Sequence, residues 1–377
     1  MIKKIETIWK ELSDSQKIQI AAGAFVFIAL LWWITKPWLA EYYYREAYQN
    51  TVRQDFKGSI RSFEIATNYQ PIETQYQVEL GKAYQDQAGR ESDPAQIKFY
   101  LDKALRAYDN IVRINPENPW YQNRLADIYL MHANFYNAFI EIPQDKNRKI
   151  YLPKNTAKDP AQQVYVKQAN DFVTSFNIAS EKKVFYAETL DPNNPLFKMS
   201  VAYMYHRRGD VEKAIQKYDQ IIKIDDQFAE AYFNKADIYL RQNKIGEAIK
   251  LYDKINEFRP DFPNLHLVKG RILYTQGRIN DAIKEFIKEI QGNRENMQAY
   301  QILATIFFQQ RNFTEAQKLM AFVVSREPQN SQFRYYLAIC YVQLKQTPMA
   351  INELQEILKY DPANAQAKQL LAALGAK

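Results

Sequence analysis

From Pro195 to Asn364 the chain repeats itself every 34 residues. Ala202, Ala236, Gly270, Ala304 and Ala338 form one ladder at that step, and Ala214, Ala248, Ala282, Ala316 and Ala350 form a second. Tyr218, Tyr252, Phe286, Met320 and Leu354 make a third, and Ile221, Ile255, Glu289, Val323 and Ile357 a fourth. Ladders that keep one register over five units do not arise by chance. A period of roughly 20–50 residues marks stacked repeats, each too small to bury its own apolar face, so that neighbours complete the core.

Within a unit, a small residue shares a helix face with the aromatic three places on, as in Ala202 and Tyr205, Ala236 and Tyr239, and Ala304 and Phe307. The small residue admits a second helix and the ring fills the space beside it. That second helix carries the later alanine, the ring four on and the apolar residue three after that. Gly209 and Gly277 mark turns inside a unit, and Pro260, Pro328 and Pro362 close units. This pattern resembles the tetratricopeptide repeat (TPR) family over nearly all of the chain after residue 40. The resemblance implies an all-α fold, a TPR α-solenoid of about eight helix pairs plus a capping helix, with units 195–364 regular and 365–377 the cap.

Residues 18–39 predict a transmembrane helix preceding the solenoid. Between Lys17 and Lys36 the run IQIAAGAFVFIALLWWIT holds no charge. At about 1.5 Å per residue, with the apolar flank Pro37–Ala40, it is long enough to cross a bilayer. Trp32, Trp33 and Trp38 suit the far interface. A cleaved signal peptide would have a shorter apolar core ending in a small-x-small site, a rule that Trp38-Leu39-Ala40 does not meet. Lysines crowd residues 1–17, while Lys36 and Arg45 follow the span. That bias predicts a short cytoplasmic segment at 1–17 and a periplasmic solenoid on a bacterial inner membrane.

Residues 40–194 read as irregular units. Ala47, Phe63, Ala66 and Pro71 fit a first unit, and Gly81, Tyr84, Ala104, Tyr108, Ile111 and Pro116 a second. In the second, the step from Gly81 to Ala104 exceeds the regular spacing by 11 residues, which predicts an extended loop at 89–99. The third unit opens at Ala126 and Tyr129 and resumes only at Ser180, Val184 and Ala187. Met131–Ile142 looks helical, 143–160 polar and 161–190 amphipathic. A long helical hairpin projecting over 132–176 accounts for this, as does a pair of units of which one is degraded.

Composition bounds the chemistry. The single cysteine, Cys340, excludes an intrachain disulfide and a cysteine-rich zinc site. Of the net charge of +7, residues 1–36 supply +2 and residues 143–160 supply +3, leaving a near-balanced solenoid without a phosphate-tracking stripe. His132, His206 and His266 occupy unrelated slots. No Gly-rich phosphate loop, G-x-S-x-G or H-E-x-x-H occurs. The sequence therefore points to no catalytic site, metal, cofactor or nucleic acid.

In the TPR family the concave groove is lined from set positions of each first helix. Carried over, these imply Met199, Tyr203 and His206; Phe233, Asp237 and Leu240; Leu267, Arg271 and Tyr274; Gln301 and Phe308; and Tyr335 and Ile339. The set suits a helix or an extended peptide with apolar anchors. The carboxylate clamp of chaperone-tail adaptors is not matched: Asn234 fits one slot, but Met199, Tyr203, Asn264 and Val268 hold the other four. Lys146, Arg148, Lys149, Lys154 and Lys158 make a basic second contact at 143–160. The Asn-Pro turns around NPENPW and DPNNPL are also similar to the periplasmic TPR tails of O-antigen ligase-type proteins. The expected function is a membrane-anchored scaffold that assembles a bacterial envelope complex, such as flagellar motor accessory, pilus, secretion or polysaccharide machinery. A periplasmic chaperone, or a cytoplasm-facing adaptor or organelle import receptor, are the alternatives.

Overall fold

The computed structural model describes residues 13–144 and 149–375. It divides into two compact units, one ending at Lys217 and the other beginning at Tyr218. Among the described residues there are seventeen α-helices and one β-hairpin.

The first unit begins with α1 (Asp14–Val52), a single helix that carries the apolar run directly into the first repeat. Ser13 and Gln16 form a reciprocal capping box at its start. Pro37 lies in its interior, and just before it the Thr35 hydroxyl donates to the Leu31 carbonyl at 2.8 Å. No residue of the apolar window is buried, whereas Ala40 and Ala47 are fully covered. Ala47 packs in one cluster with Ile60 and Phe63 of α2 (Phe56–Tyr69).

The second helix pair corrects the expected loop at 89–99. Helix α3 (Thr74–Arg90) and helix α4 (Pro94–Ile114) leave only three residues between them. Asp93 accepts the Ala95 N–H and Pro94 occupies the first turn, so α4 starts sharply. The extra residues lengthen the helices because they carry core: Ala88 and Leu101 are buried in a cluster with Phe135, Tyr136 and Ile140. Gly81 shows what the small slot requires, since a Cβ there would lie 2.8 Å from the Tyr108 ring.

The third pair is α5 (Pro119–Ala138) and α6 (Gln163–Leu190), so one unit spans the region and the insertion lies between its helices. The insertion departs from the sequence expectation. The helix stops at Ala138, and Phe139–Pro143 (β1) pairs antiparallel with Lys149–Pro153 (β2), with Ile140 opposite Leu152 and Ile142 opposite Ile150. The β-branched and aromatic residues of both segments favour a strand over a further helical turn. The hairpin also does not project freely. Ile140 is fully buried in the cluster that holds Ala88, Leu101 and Ala157, so the insertion folds back on the preceding helix pair. Helix α7 (Pro195–Arg208) joins this unit through Phe197, whose ring meets Trp120 edge-on at 4.9 Å.

Helix α8 (Val211–Ile224) leads to the second unit. There follow α9 (Ala229–Arg241), α10 (Ile245–Phe258), α11 (Leu265–Thr275), α12 (Ile279–Gly292), α13 (Met297–Gln309), α14 (Phe313–Arg326), α15 (Ser331–Gln343), α16 (Thr347–Tyr360) and α17 (Ala365–Ala373). The ladders become the core: Ala236, Tyr252 and Ile255 form one cluster with Ala248, and Ala304, Met320, Ala338 and Leu354 lie in another. A Cβ on Gly270 would stand 2.7 Å from the Phe286 ring.

Two further ladders emerge that residue identity hides. Gly209, Asn243, Gly277, Arg311 and Lys345, one per regular repeat, all have φ between 58° and 82°. Each ends a first helix, and the next residue returns its N–H to a carbonyl five residues back, as in Lys244 to Tyr239 (2.8 Å) and Asn312 to Phe307 (2.9 Å). That left-handed turn is what closes the helix. Tyr232, His266 and Arg334 also share a slot, and each side chain bonds the backbone carbonyl six residues earlier, at 3.1, 3.1 and 2.7 Å. Gln77 and Gln122 do the same in the first unit, to Pro71 and Pro116.

Candidate partner-binding surface

In the first unit, α7 presents Met199, Tyr203 and His206 at helical spacing. Tyr203 is 52% exposed, while Met199 and His206 are half-buried. In the second unit, α9 supplies Phe233, Asp237 and Leu240. Phe233 is half-buried, its ring 5.4 Å from Tyr252 and 5.2 Å from Phe262, so it is wall as much as surface. Asp237 is tied to Arg241 at 2.8 Å, and Leu240 packs on the same cluster as Phe233.

On α11, Arg271 is exposed and the Tyr274 hydroxyl donates to Gln309 Oε1 at 3.1 Å. Leu267 is a correction: it is only 5% exposed and packs with Ala299 and Leu303 as core. Glu289 draws that turn inward by accepting the Leu267 N–H at 3.1 Å. On α13, Gln301 donates to Glu327, and the Phe308 ring lies 5.1 Å from Tyr336 and 5.9 Å from Phe313. On α15, Tyr335 and Ile339 are half-buried. The second unit thus offers half-exposed rings with one exposed cation, Arg271, among the residues expected from the family pattern.

Sequence reasoning passed over the network beneath this surface. His266 Nδ1 lies 2.7 Å from Glu285 Oε2. Burial raises the Glu285 carboxyl, but the His266 and Lys288 hydrogen bonds outweigh it and hold the group at about 2. Glu289 is 3% exposed and takes a second bond from the Asn296 amide at 2.7 Å. The signal was present, since Glu289 is the only charged member of its ladder. Both carboxylates are saturated by structural donors, and their work is to fasten successive helices.

Among the described residues, the basic side chains of the insertion make separate contacts. Lys149 pairs with Glu141 across the β-hairpin, and Lys154 donates to Asn170 Oδ1 at 2.5 Å. Lys158 is exposed, and Lys146 and Arg148 lie outside the described residues. His132 is fully buried, stacked on Phe176 at 4.8 Å, with Nε2 3.7 Å from Asp102. Burial, then the Lys98 charge, depress it to about 4 against the weaker pull of Asp102.

Residues 205–272 and 307–374 match the tetratricopeptide repeat family. These segments are tetratricopeptide repeats. No curated protein matches it. Solved structures similar to this TPR chain include YrrB, described as a TPR protein with an unusual peptide-binding site, at 16% identity and a TM-score of 0.41 over 50% of this chain and 97% of that one. Another is PilF of Pseudomonas aeruginosa, at 14% identity and a TM-score of 0.42 over 58% and 99%. A third is yeast Tom70, at 13% identity and a TM-score of 0.37 over 89% and 95%. TPR units form a protein-interaction scaffold, and that is the class of function this chain has.

Proposed function

We propose that this TPR protein is anchored in a bacterial inner membrane by residues 18–39 and recruits protein partners to an envelope complex in the periplasm. The observation that carries the reading is the continuity of α1. One uninterrupted helix runs from an uncharged 18-residue window that holds no buried residue into the packed core of the first repeat. An apolar window of that kind needs a bilayer around it. The rings of α9, α11, α13 and α15 then supply apolar anchors, with Arg271 beside them for an acidic group on the partner; in the first unit Tyr203 of α7 is a separate exposed ring.

The test uses the full chain in a bacterial host. A photocrosslinker at Tyr203 or Arg271, both exposed, should capture the same few envelope proteins stoichiometrically in mild detergent. Tyr203→Ala with Arg271→Ala should reduce that capture about tenfold or more while leaving thermal stability unchanged, as surface anchors do. Weak capture of many unrelated clients would establish the chaperone reading instead. An alkaline phosphatase fusion after residue 377 that stays inactive would place the repeats in the cytoplasm.

A further inference from the structure

The first helix pair carries a second surface, at its base. Ile18–Thr35 spans about 27 Å at ~1.5 Å per residue, against ~30 Å of hydrocarbon, so the outer edge of the bilayer falls near Thr35–Trp38. The repeat reaches down to that level. The ring of Tyr69, the last residue of α2, lies edge-on to Trp32 at 5.8 Å and stacks on Tyr43 at 6.1 Å. Lys36 Nζ sits 5.6 Å over the same Trp32 ring.

The turn after Tyr69 is held at this height by side chains of α3. Gln75 donates to the Tyr44 hydroxyl at 2.8 Å, the Tyr76 hydroxyl donates to Glu41 at 3.3 Å, and Gln77 donates to the Pro71 carbonyl at 3.2 Å. At the tip of that turn Ile72 is 75% exposed, and on α1 Trp38 is 80% and Tyr42 62% exposed. A large aliphatic side chain in water, level with bare aromatic rings and an apolar span, finds its natural cover in lipid.

We propose that the base of the first repeat is seated in the headgroup layer of the bilayer that α1 crosses, with Tyr69, Ile72, Trp38 and Tyr42 embedded. Lys36, at the outer edge of the span, supplies a cation for a lipid phosphate at this level. No flexible linker separates anchor from repeat, so the seat fixes the tilt of the first helix pair against the membrane. The proposal rests on residues 18–39 being a membrane anchor.

The experiment keeps that premise separate. Full-length protein carrying Cys340→Ala is given one cysteine by Ile72→Cys, Ile28→Cys or Arg53→Cys, labelled with bimane and reconstituted in phosphatidylcholine–phosphatidylglycerol vesicles. Arg53 lies past the far end of α1, about 22 Å along the helix from Trp38. Spin-labelled lipids with the nitroxide at mid-chain or at the headgroup serve as quenchers. The dye at 28 should be quenched by the mid-chain label. The dye at 72 should be quenched by the headgroup label at least threefold more than the dye at 53. Equal quenching at 72 and 53, with 28 quenched, would overturn the seat and leave the anchor standing. No quenching at 28 would remove both.

Discussion

The regular repeats of the second unit and the irregular ones of the first solve the same packing problem differently. From Tyr218 onward the core is a repeated contact between a small residue and a ring or long aliphatic, and the two buried carboxylates, Glu285 and Glu289, have their donors. In the first unit the core is enlarged by an insertion. It brings together the rings of Phe135, Tyr136, Phe172 and Phe176, of which Phe135 and Tyr136 are buried and Phe172 keeps an exposed edge. With them lies His132, whose ring nitrogens have no hydrogen-bond partner among the described residues. A repeat that stacks on similar neighbours buries a charged group only where an adjoining helix supplies its donors. A repeat that must accommodate a long insertion builds a local core of its own, and buries polar groups to do it.

The sharpest way to break this contrast is to empty the insertion core. Ile140→Ala should cost about 2–5 kcal/mol, the range for deleting a fully buried aliphatic. Hydrogen exchange should quicken in α4, α5 and α6 while α9–α17 keep wild-type protection. Equal loss of protection in both units would show that the insertion core is not local.

Acid should separate the units next. Because the folded pKa of His132 is depressed from 6.5 to about 4, the unfolded chain binds a proton that the folded one refuses. Its stabilising contribution is therefore complete above pH 6.5 and lost as pH falls from 6.5 to 4. The loss is on the order of 3 kcal/mol at most, since each tenfold difference in proton affinity between the folded and unfolded chain is worth ~1.36 kcal/mol. Urea melts read by exchange within α5 and α6 should show this acid limb, and His132→Leu should flatten it.

The smallest effect sharpens the comparison inside the regular region. Arg311 and Lys345 hold the left-handed position that Gly209 and Gly277 fill without strain. Arg311→Gly should stabilise the chain by about 0.5–1 kcal/mol, the left-handed cost relieved less the added freedom of the unfolded glycine. Thermal melts would read the gain. The same substitution at Lys345 should add to it, since the two turns belong to different helix pairs.

The legibility of the fold follows the same divide. The five regular units could be read from residue identity because each ladder position has one steric demand: Gly270 has the Phe286 ring where a Cβ would go. The candidate surface was less legible. Positions at the edge of a helix contact are set by the neighbour, so Leu267 fell inside while Arg271, one turn on, stayed outside. The carbonyl-clamp slot shared by Tyr232, His266 and Arg334 was invisible because three unlike side chains satisfy one acceptor.

By itself the sequence determined the repeat length, the helix pairing, the small and aromatic core slots and the uncharged run at the start of α1. All of these depend on local spacing and on side-chain size. The tertiary structure alone decided that 89–99 extends two helices, that Phe139–Pro143 and Lys149–Pro153 pair as strands with Ile140 packed beside Ala88 and Leu101, and that Tyr69 reaches Trp32. Those outcomes depend on apolar surfaces far apart in the chain finding each other, and no periodicity records which surface will be the partner.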